Sequence, residues 1–314
     1  MKTEMMFSLA IRKKDHKEDF FWNHDDYKFV TCKIDCKGRY WLADPFLFEK
    51  DGIAYVFFEA FDLIQNKGKI GYCVYEEDGR CSDIRIVIDE PYHLSFPNIF
   101  IADDEILMMP ESSVDYTIKL FKAVSFPDKW EFFRFVDSDV YACDSIFIED
   151  GGKRYLLTNR MYHRRIHNTY PSCWVKNYLY RLDGYTTIDD GVKISEGDFG
   201  IRNAGKVFAE NGILKRIGQD CRNEEYGRGL VQFRVNSLEP YQEEMLWSKD
   251  CIEMTNHIQD KISDEIIGVH TYNFTDNYEV IDYSYNYPVN RLTLVKREFL
   301  YLYKRVRSHL RSTT

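Results

Sequence analysis

The sequence predicts an all-β fold, a five-bladed β-propeller with a C-terminal amphipathic helix, on three observations. One hairpin pattern recurs down the chain with polar residues at matching places. Its steps of 52, 47 and 61 residues lie near the ~40–50 of one four-stranded blade. Tyr (23) and Phe (22) are abundant against 17 Gly and 8 Pro, which favours β structure with aromatic surfaces. At 314 residues and 44% hydrophobic content, the chain can bury a large core.

The first unit opens at Trp41–Glu59, WLADPFLFEKDGIAYVFFE. Phe46 and Phe48, then Ala54, Val56 and Phe58, alternate across a turn at Asp51-Gly52, the period of two expected for paired strands. Asp44 starts one strand and Glu59 ends the other, so an antiparallel pair sets both carboxylates at one end. NKGKIGYCVYEEDGR adds two further strands. A second unit opens at FPNIFIADDEILMMPE, with Phe100 laid over Phe48 and Glu111 over Glu59. In the third, CDSIFIEDGGKRYLLT, Phe147 and Thr158 take those places; in the fourth, NAGKVFAENGILKRIGQ, Phe208 and Gln219 do. A more degenerate fifth begins near Gly268. An irregular β-sandwich of similar hairpins is the bland alternative.

No Gly/Ser/Pro-rich linker or low-complexity tract interrupts residues 40–287. The division expected is a lead-in and closing strand over 1–39, with Lys13–Asp26 a surface segment, the propeller over 40–288, and a basic helix over 289–314. In that last stretch Leu292, Val295, Phe299, Leu302, Val306 and Leu310 share one helical face, while Lys and Arg crowd the others. Two readings stay open: an anchor to anionic membrane through 291–311, and a helix packed along the propeller's side.

The net charge of −9 argues against nucleic acid as a partner. Met1–Ala10 has no long apolar core, and no window approaches ~18 apolar residues, so neither signal peptide nor spanning helix is expected. This predicts a cytoplasmic protein, peripheral on the inner face of the membrane if the tail anchors it. The eight cysteines lack a CxxC pair, which suits reduced thiols. Cys32 and Cys36 make at most half a zinc site, with no second half at suitable spacing.

A propeller's inner strands all run the same way along its axis, so their starts meet at one mouth. The alignment gathers Asp44, Glu59, Pro97, Glu111, Asp144, Arg202, Asn203, Gln219, Asp220 and His270 there, with Trp41 beside them. Carboxylates this close perturb one another, which suits a general acid facing a general base. The plain readings are a turn cap for Asp44, strand-end solvation for Glu59 and Glu111, an ion pair for Arg202 and a core histidine for His270. Against solvation, the runs FFE and MMPE set their glutamates on strongly apolar strands. The loop RMYHRRIHNTY, with Arg164 and Arg165, adds a positive patch suited to diphosphate or an acidic sugar, or is simply solvated.

The series WLADPFLFE, FFEAF, KGKIGY, HLSFPNIF, MMPESS, FPDKW, IRNAGKVF, GQDCRNEEYG and GVHTYN resembles the five-bladed propeller domain at the N-terminus of glucosamine inositolphosphorylceramide transferases. Bacterial relatives of that domain stand beside sugar-modifying enzymes of surface-polysaccharide loci. The resemblance covers about Tyr40 to Tyr287. That domain looks in turn like furanosidase and fructosidase propellers, whose acidic residues line the channel mouth. Carried across, this implies Asp44, Glu111 and Asp144 as catalytic, with Arg202, Gln219, Asp220 and His270 as further pocket residues. Asn203 departs from the family, which usually has proline there, and the separate C-terminal transferase domain of the plant members has no counterpart in these residues.

The expected function is a glycosyltransferase of surface-polysaccharide, capsule or glycolipid assembly, taking an activated sugar donor and a glycan or lipid-linked acceptor. Asp44 would take the acceptor proton, while Arg202 or the Arg164/Arg165 loop would hold the leaving phosphate. The alternatives are a glycoside hydrolase with paired carboxylates and a non-catalytic glycan-binding module. There is no DxD-like motif on a nucleotide-binding unit, so neither metal nor cofactor is expected.

Overall fold

A computed structural model describes residues 2–36, 38–76, 79–160 and 174–289, with Val295 and Arg297. It is a five-bladed propeller. The first blade is built from Tyr40–Lys50, Ile53–Asp62, Lys67–Tyr75 and Arg85–Ile88, and the second from Ser95–Ala102, Glu105–Glu111, Thr117–Ser125 and Lys129–Ser138. The third comprises Ala142–Asp150, Lys153–Arg160 and Val175–Asp183, edged by Thr186–Thr187 and Val192–Gly197. In the fourth, Phe199–Asn203 and Phe208–Glu210 both pair with Ile213–Asp220, followed by Gly229–Leu238 and Tyr241–Asp250.

The fifth blade closes the ring with the first strand of the chain. Tyr278–Val289 pairs on one side with Ile266–Gly268 and Tyr272–Phe274, and on the other with Lys2–Lys13, in one unbroken antiparallel register from Lys2 opposite Val289 to Lys13 opposite Tyr278. The closing strand expected near the N-terminus is therefore the third strand of the last blade, and two chain ends share one sheet without leaving an open array. Beyond it, Lys13–Asp26 departs from the surface segment expected. Phe20 and Phe21 are buried, and Phe21 packs among Tyr27, Phe29, Trp247 and Tyr272. The polar composition of that stretch hides an aromatic plug whose burial outweighs its charges.

Each of the first four inner strands is bulged near its start. Ladder pairing skips from Ala43–Glu59 to Phe46–Phe57, from Ser95–Glu111 to Asn98–Met109, from Cys143–Asn159 to Ile146–Leu157, and from Phe199–Asp220 to Asn203–Gly218. A residue at positive φ sits in every bulge: Asp44 (51°), Phe96 (44°), Asp144 (49°) and Gly200 (70°). In the fourth blade only glycine fits, because a Cβ on Gly200 would lie 2.5 Å from the Phe233 ring.

The bulges correct the repeat. The turns align Ile148, not Phe147, with Phe48, so Asn159 rather than Thr158 occupies the place of Glu59. In the fourth blade Glu210 and Ile213 flank the turn as Lys50 and Ile53 do in the first, so Phe208 and Gln219 hold the places of Phe48 and Glu59 as expected, while the wider bulge there pairs Asp220 with Phe199. Anchoring on phenylalanine slipped the third blade by one residue, and in a strand one residue is the difference between faces.

Among the described residues no ladder joins neighbouring blades at the axis, and side chains help to tie one to the next. Asp44 accepts the Phe96 N–H (3.2 Å), Asn98 the Phe147 N–H (3.1 Å), Asn159 the Asn203 N–H (2.7 Å) and Asn273 the Lys206 N–H (3.0 Å). Asn273 also donates to the Pro45 carbonyl (2.7 Å), which closes the circle. These bonds satisfy backbone groups that water does not reach.

Candidate active site

The bulges aim Asp44 and Asp144 into one mouth, and the adjoining strand ends bring Glu59 and Glu111 to it. Asp44 is buried and fully engaged. Its Oδ1 accepts Thr271 Oγ1 (2.9 Å) and lies 3.1 Å from His270 Nε2, while Oδ2 accepts the Phe96 N–H. Burial alone would raise its pKa, but His270 and Thr271 outweigh it and hold Asp44 below the ordinary carboxylate value. His270 stands between two acids, with Nδ1 2.9 Å from Asp282 Oδ2. Burial would lower its pKa, yet Asp282 and Asp44 lift it to about 10, so it is an imidazolium at neutral pH.

The two glutamates are pushed the other way. Burial first, then Asp44 and Glu111, hold the Glu59 carboxyl well above its usual range. Burial and Asp144 raise half-buried Glu111 to about 8, although Ser113 Oγ donates to its Oε1 at 2.8 Å. Asp144 is raised by burial and by Asp44, against the opposing pull of Arg202, whose Nε donates to its Oδ2 at 2.6 Å. The mouth thus holds an anionic aspartate and neutral glutamic acids side by side.

Of the residues expected here, the structure brings together Asp44, Glu59, Glu111, Asp144, Arg202 and His270. Asn203 donates from Nδ2 to the Asp144 carbonyl (2.9 Å) and serves as a strut. Gln219 spends its amide on the Asn203 carbonyl (3.0 Å), and Asp220 is taken by Arg222 Nε (3.0 Å) and Nη2 (2.7 Å), so neither joins the carboxylate cluster. Trp41 stacks on Phe61 (4.4 Å between centroids) and meets Phe7 (5.2 Å), whose ring lies 4.9 Å from His270. Arg164, Arg165 and nearly all of the 291–311 tail lie outside the described residues.

Asp282, Thr271, His93 and Tyr226 were not expected. Tyr226 packs 4.9 Å from the His270 ring and under the Arg202 guanidinium (5.1 Å). Asp282 carried the same signal as Glu59, an acid inside an apolar run, Val280-Ile281-Asp282-Tyr283.

Among the described residues, two groups have donor atoms within 4.8 Å of one another: Asp44, His270 and Asp282, and Glu111, Cys143 and Asp144. Neither suits a divalent ion. Both ring nitrogens of His270 face carboxylates as a cation, and Asp144 already holds Arg202, whose charge would repel the metal.

Comparison with known proteins agrees with this architecture. The family described as glucosamine inositolphosphorylceramide transferase 1, N-terminal, matches residues 28–261. Glucosamine inositolphosphorylceramide transferase 1 of Oryza sativa subsp. indica is 29% identical over 232 residues, covering 68% of this chain and 29% of that protein. Its Arabidopsis thaliana namesake is 31% identical over 209 residues, covering 64% and 26% respectively. The chain thus spans under a third of these relatives' length. Among solved structures, the catalytic domain of a Coprinopsis cinerea GH62 α-L-arabinofuranosidase superposes with a TM-score of 0.55 at 9% identity, covering 88% of this chain and 97% of that one. An exo-1,5-α-L-arabinanase from a bovine ruminal metagenomic library gives 0.50 at 14% identity, covering 81% and 99%. At such identities the likeness is one of fold.

Proposed function

The chain belongs to the family of the glucosamine inositolphosphorylceramide transferase 1 N-terminal domain, and from that membership we propose that it is a glycosyltransferase of surface-polysaccharide or glycolipid assembly. The supporting observation is the split protonation of the mouth, with Asp44 held anionic beside neutral Glu59 and Glu111. Environments that push neighbouring carboxyl groups apart in pKa provide an acid and a base at the same pH. On this reading Asp44 takes the proton of the acceptor hydroxyl as the new glycosidic bond forms. Arg202 gives Nε to Asp144 and lays its guanidinium over Tyr226, a posture suited to receiving the leaving phosphate. The acceptor is a glycan or a lipid-linked sugar, met on the cytoplasmic side of the membrane.

Glycoside hydrolysis is the second reading. The observation favouring it is Glu111 at about 8, a carboxylic acid able to protonate a leaving oxygen across from an anionic aspartate. One assay separates the two. A transferase consumes nucleotide sugar only when acceptor is supplied, whereas a hydrolase releases free sugar from an oligosaccharide without donor. Donor turnover indifferent to acceptor, with no sugar release, would overturn both.

A further inference from the structure

Glu59 and Asp62 lie three residues apart on one strand, both buried, and the fold treats them in opposite ways. Asp62 is built to be an anion. It accepts Arg39 Nε (3.1 Å) and the backbone N–H groups of Ile64 (3.0 Å) and Gln65 (3.1 Å), and Lys69 Nζ lies 3.5 Å away. Glu59 has no such cage. Its Oε1 is buried and accepts no hydrogen bond from the described residues, and it faces the carboxyl groups of Asp44, Glu111 and Asp282, with His270 the cation among them. A carboxyl in that setting keeps its proton.

His93, on the loop entering the second blade, places Nε2 3.4 Å from Glu59 Oε1, too long for a hydrogen bond at rest. Its Nδ1 accepts the Gly68 N–H at 3.0 Å. In a neutral imidazole one ring nitrogen accepts and the other carries hydrogen, so this bond puts the His93 hydrogen on Nε2, facing Glu59. His93 faces Asp44 and Lys67 besides, and its burial holds it below its ordinary pKa and therefore neutral.

Gly68 makes the arrangement possible. Its backbone is not left-handed; what its position lacks is space. A Cβ there would fall 2.4 Å from the Leu94 carbonyl oxygen, 2.5 Å from Glu59 Oε1 and 2.8 Å from His93 Cε1. Any side chain would part the histidine from the acid.

We infer that Glu59, beside Glu111, is a proton donor of this mouth, and that His93, its tautomer fixed by Gly68, is the positioning residue that receives the carboxylate left behind. The inference rests on the mouth being the site of glycosyl chemistry. In the step, the Glu59 O–H bond breaks and a new O–H bond forms on the leaving oxygen. The electron pair stays on Glu59, whose carboxylate then accepts the His93 Nε2–H. The resting acid forgoes this hydrogen bond, and the ion formed as the proton departs gains it, so the stabilisation falls where charge develops.

Infrared spectroscopy tests this without substrate. Wild-type protein in D2O at pH 7 should show a carboxylic-acid carbonyl band that Glu59→Gln removes, titrating away only at higher pH. His93→Leu should move that midpoint up by about one unit, a tenfold rise in proton affinity, and His93→Gln, which keeps an N–H donor, should restore part of it. A packing role for His93 would leave the midpoint in place. If Glu59→Gln removes no acid band at pH 7, or if folded His93→Leu and His93→Gln both titrate as wild type, the inference falls. Because no sugar is present, failure of the glycosyl assay would overturn the proposed function and leave this protonation finding standing, and the reverse outcome would separate them equally.

Discussion

Asp282 holds Asp44 across the closure of the ring. The Asp44 N–H donates to Asp282 Oδ2 at 2.9 Å, and His270 lies between the two carboxylates. Asp282 Oδ1 also accepts the N–H groups of His270 (3.1 Å) and Thr271 (2.9 Å). One buried carboxylate from the last blade therefore fixes both the backbone of Asp44 and the charge on its partner. The seam that closes the propeller is also the wall of the candidate site.

Asp282→Asn should lower stability by ~3–5 kcal/mol, the usual cost of removing one partner from a buried ion pair. It should also drop the His270 pKa from about 10 by at least one unit. Histidine ring resonances followed by NMR between pH 6 and 10 would read this directly. An unchanged titration would mean that Asp44 alone holds the imidazolium.

Asp44→Asn should reduce turnover by ~10²–10⁴ on the true substrate, the range associated with losing a positioned acid or base. Glu111→Gln and Asp144→Asn should each be damaging as well. Circular dichroism would establish that the variants fold. Wild-type rates in all three would move the chemistry elsewhere.

Stability should fall as pH rises from 6 to 9. His270, raised to about 10 from an unfolded value near ~6.5, keeps in the native state a proton that the unfolded chain has released. Its contribution is full below ~6.5 and lost as pH climbs through 10. Glu111, raised to about 8, acts with the same sign over a lower window, and Glu59 shares its direction. Asp44 has the opposite sign, but its depressed pKa confines that contribution to acid. Each proton retained adds a slope of up to about 1.4 kcal/mol per pH unit. Urea unfolding at pH 6, 7.5 and 9 tests this. The slope should flatten in Glu111→Gln, and a flat or rising wild-type profile would count against neutral acids at the mouth.

How far the sequence disclosed this site follows from what each residue's surroundings look like in one dimension. Asp44 and Glu59 were legible because a two-residue turn and a period of two bring them together locally. Glu111 followed by repetition. The register of the third blade was not legible from its phenylalanine, because Phe147 lies one residue from the place of Phe48. His93 sits in a short loop and acquires meaning only from the bare Gly68 opposite it. Tyr226 lay within GQDCRNEEYG, yet nothing local says that its ring reaches His270.

The tail supplies the last test. The strand Tyr278–Val289 carries the chain past Asp282 and ends opposite Lys2, beyond the level of the carboxylates. Arg297 pairs with Glu4 at 2.7 Å, close to that end of the fifth blade. A membrane contact made through Arg297 would therefore lie toward the end of the blade from which the mouth opens, where a lipid-linked acceptor would present its sugar. Each basic residue near anionic lipid would add ~1 kcal/mol, a contribution that salt should screen. Sedimentation with vesicles containing phosphatidylserine should recover the full chain at low salt and lose it at high salt. Truncation after Val289, which spares the ladder with Lys2–Lys13, should abolish binding. Equal sedimentation of the truncated protein would show that the tail does not anchor it, and would leave the packed helix as its role.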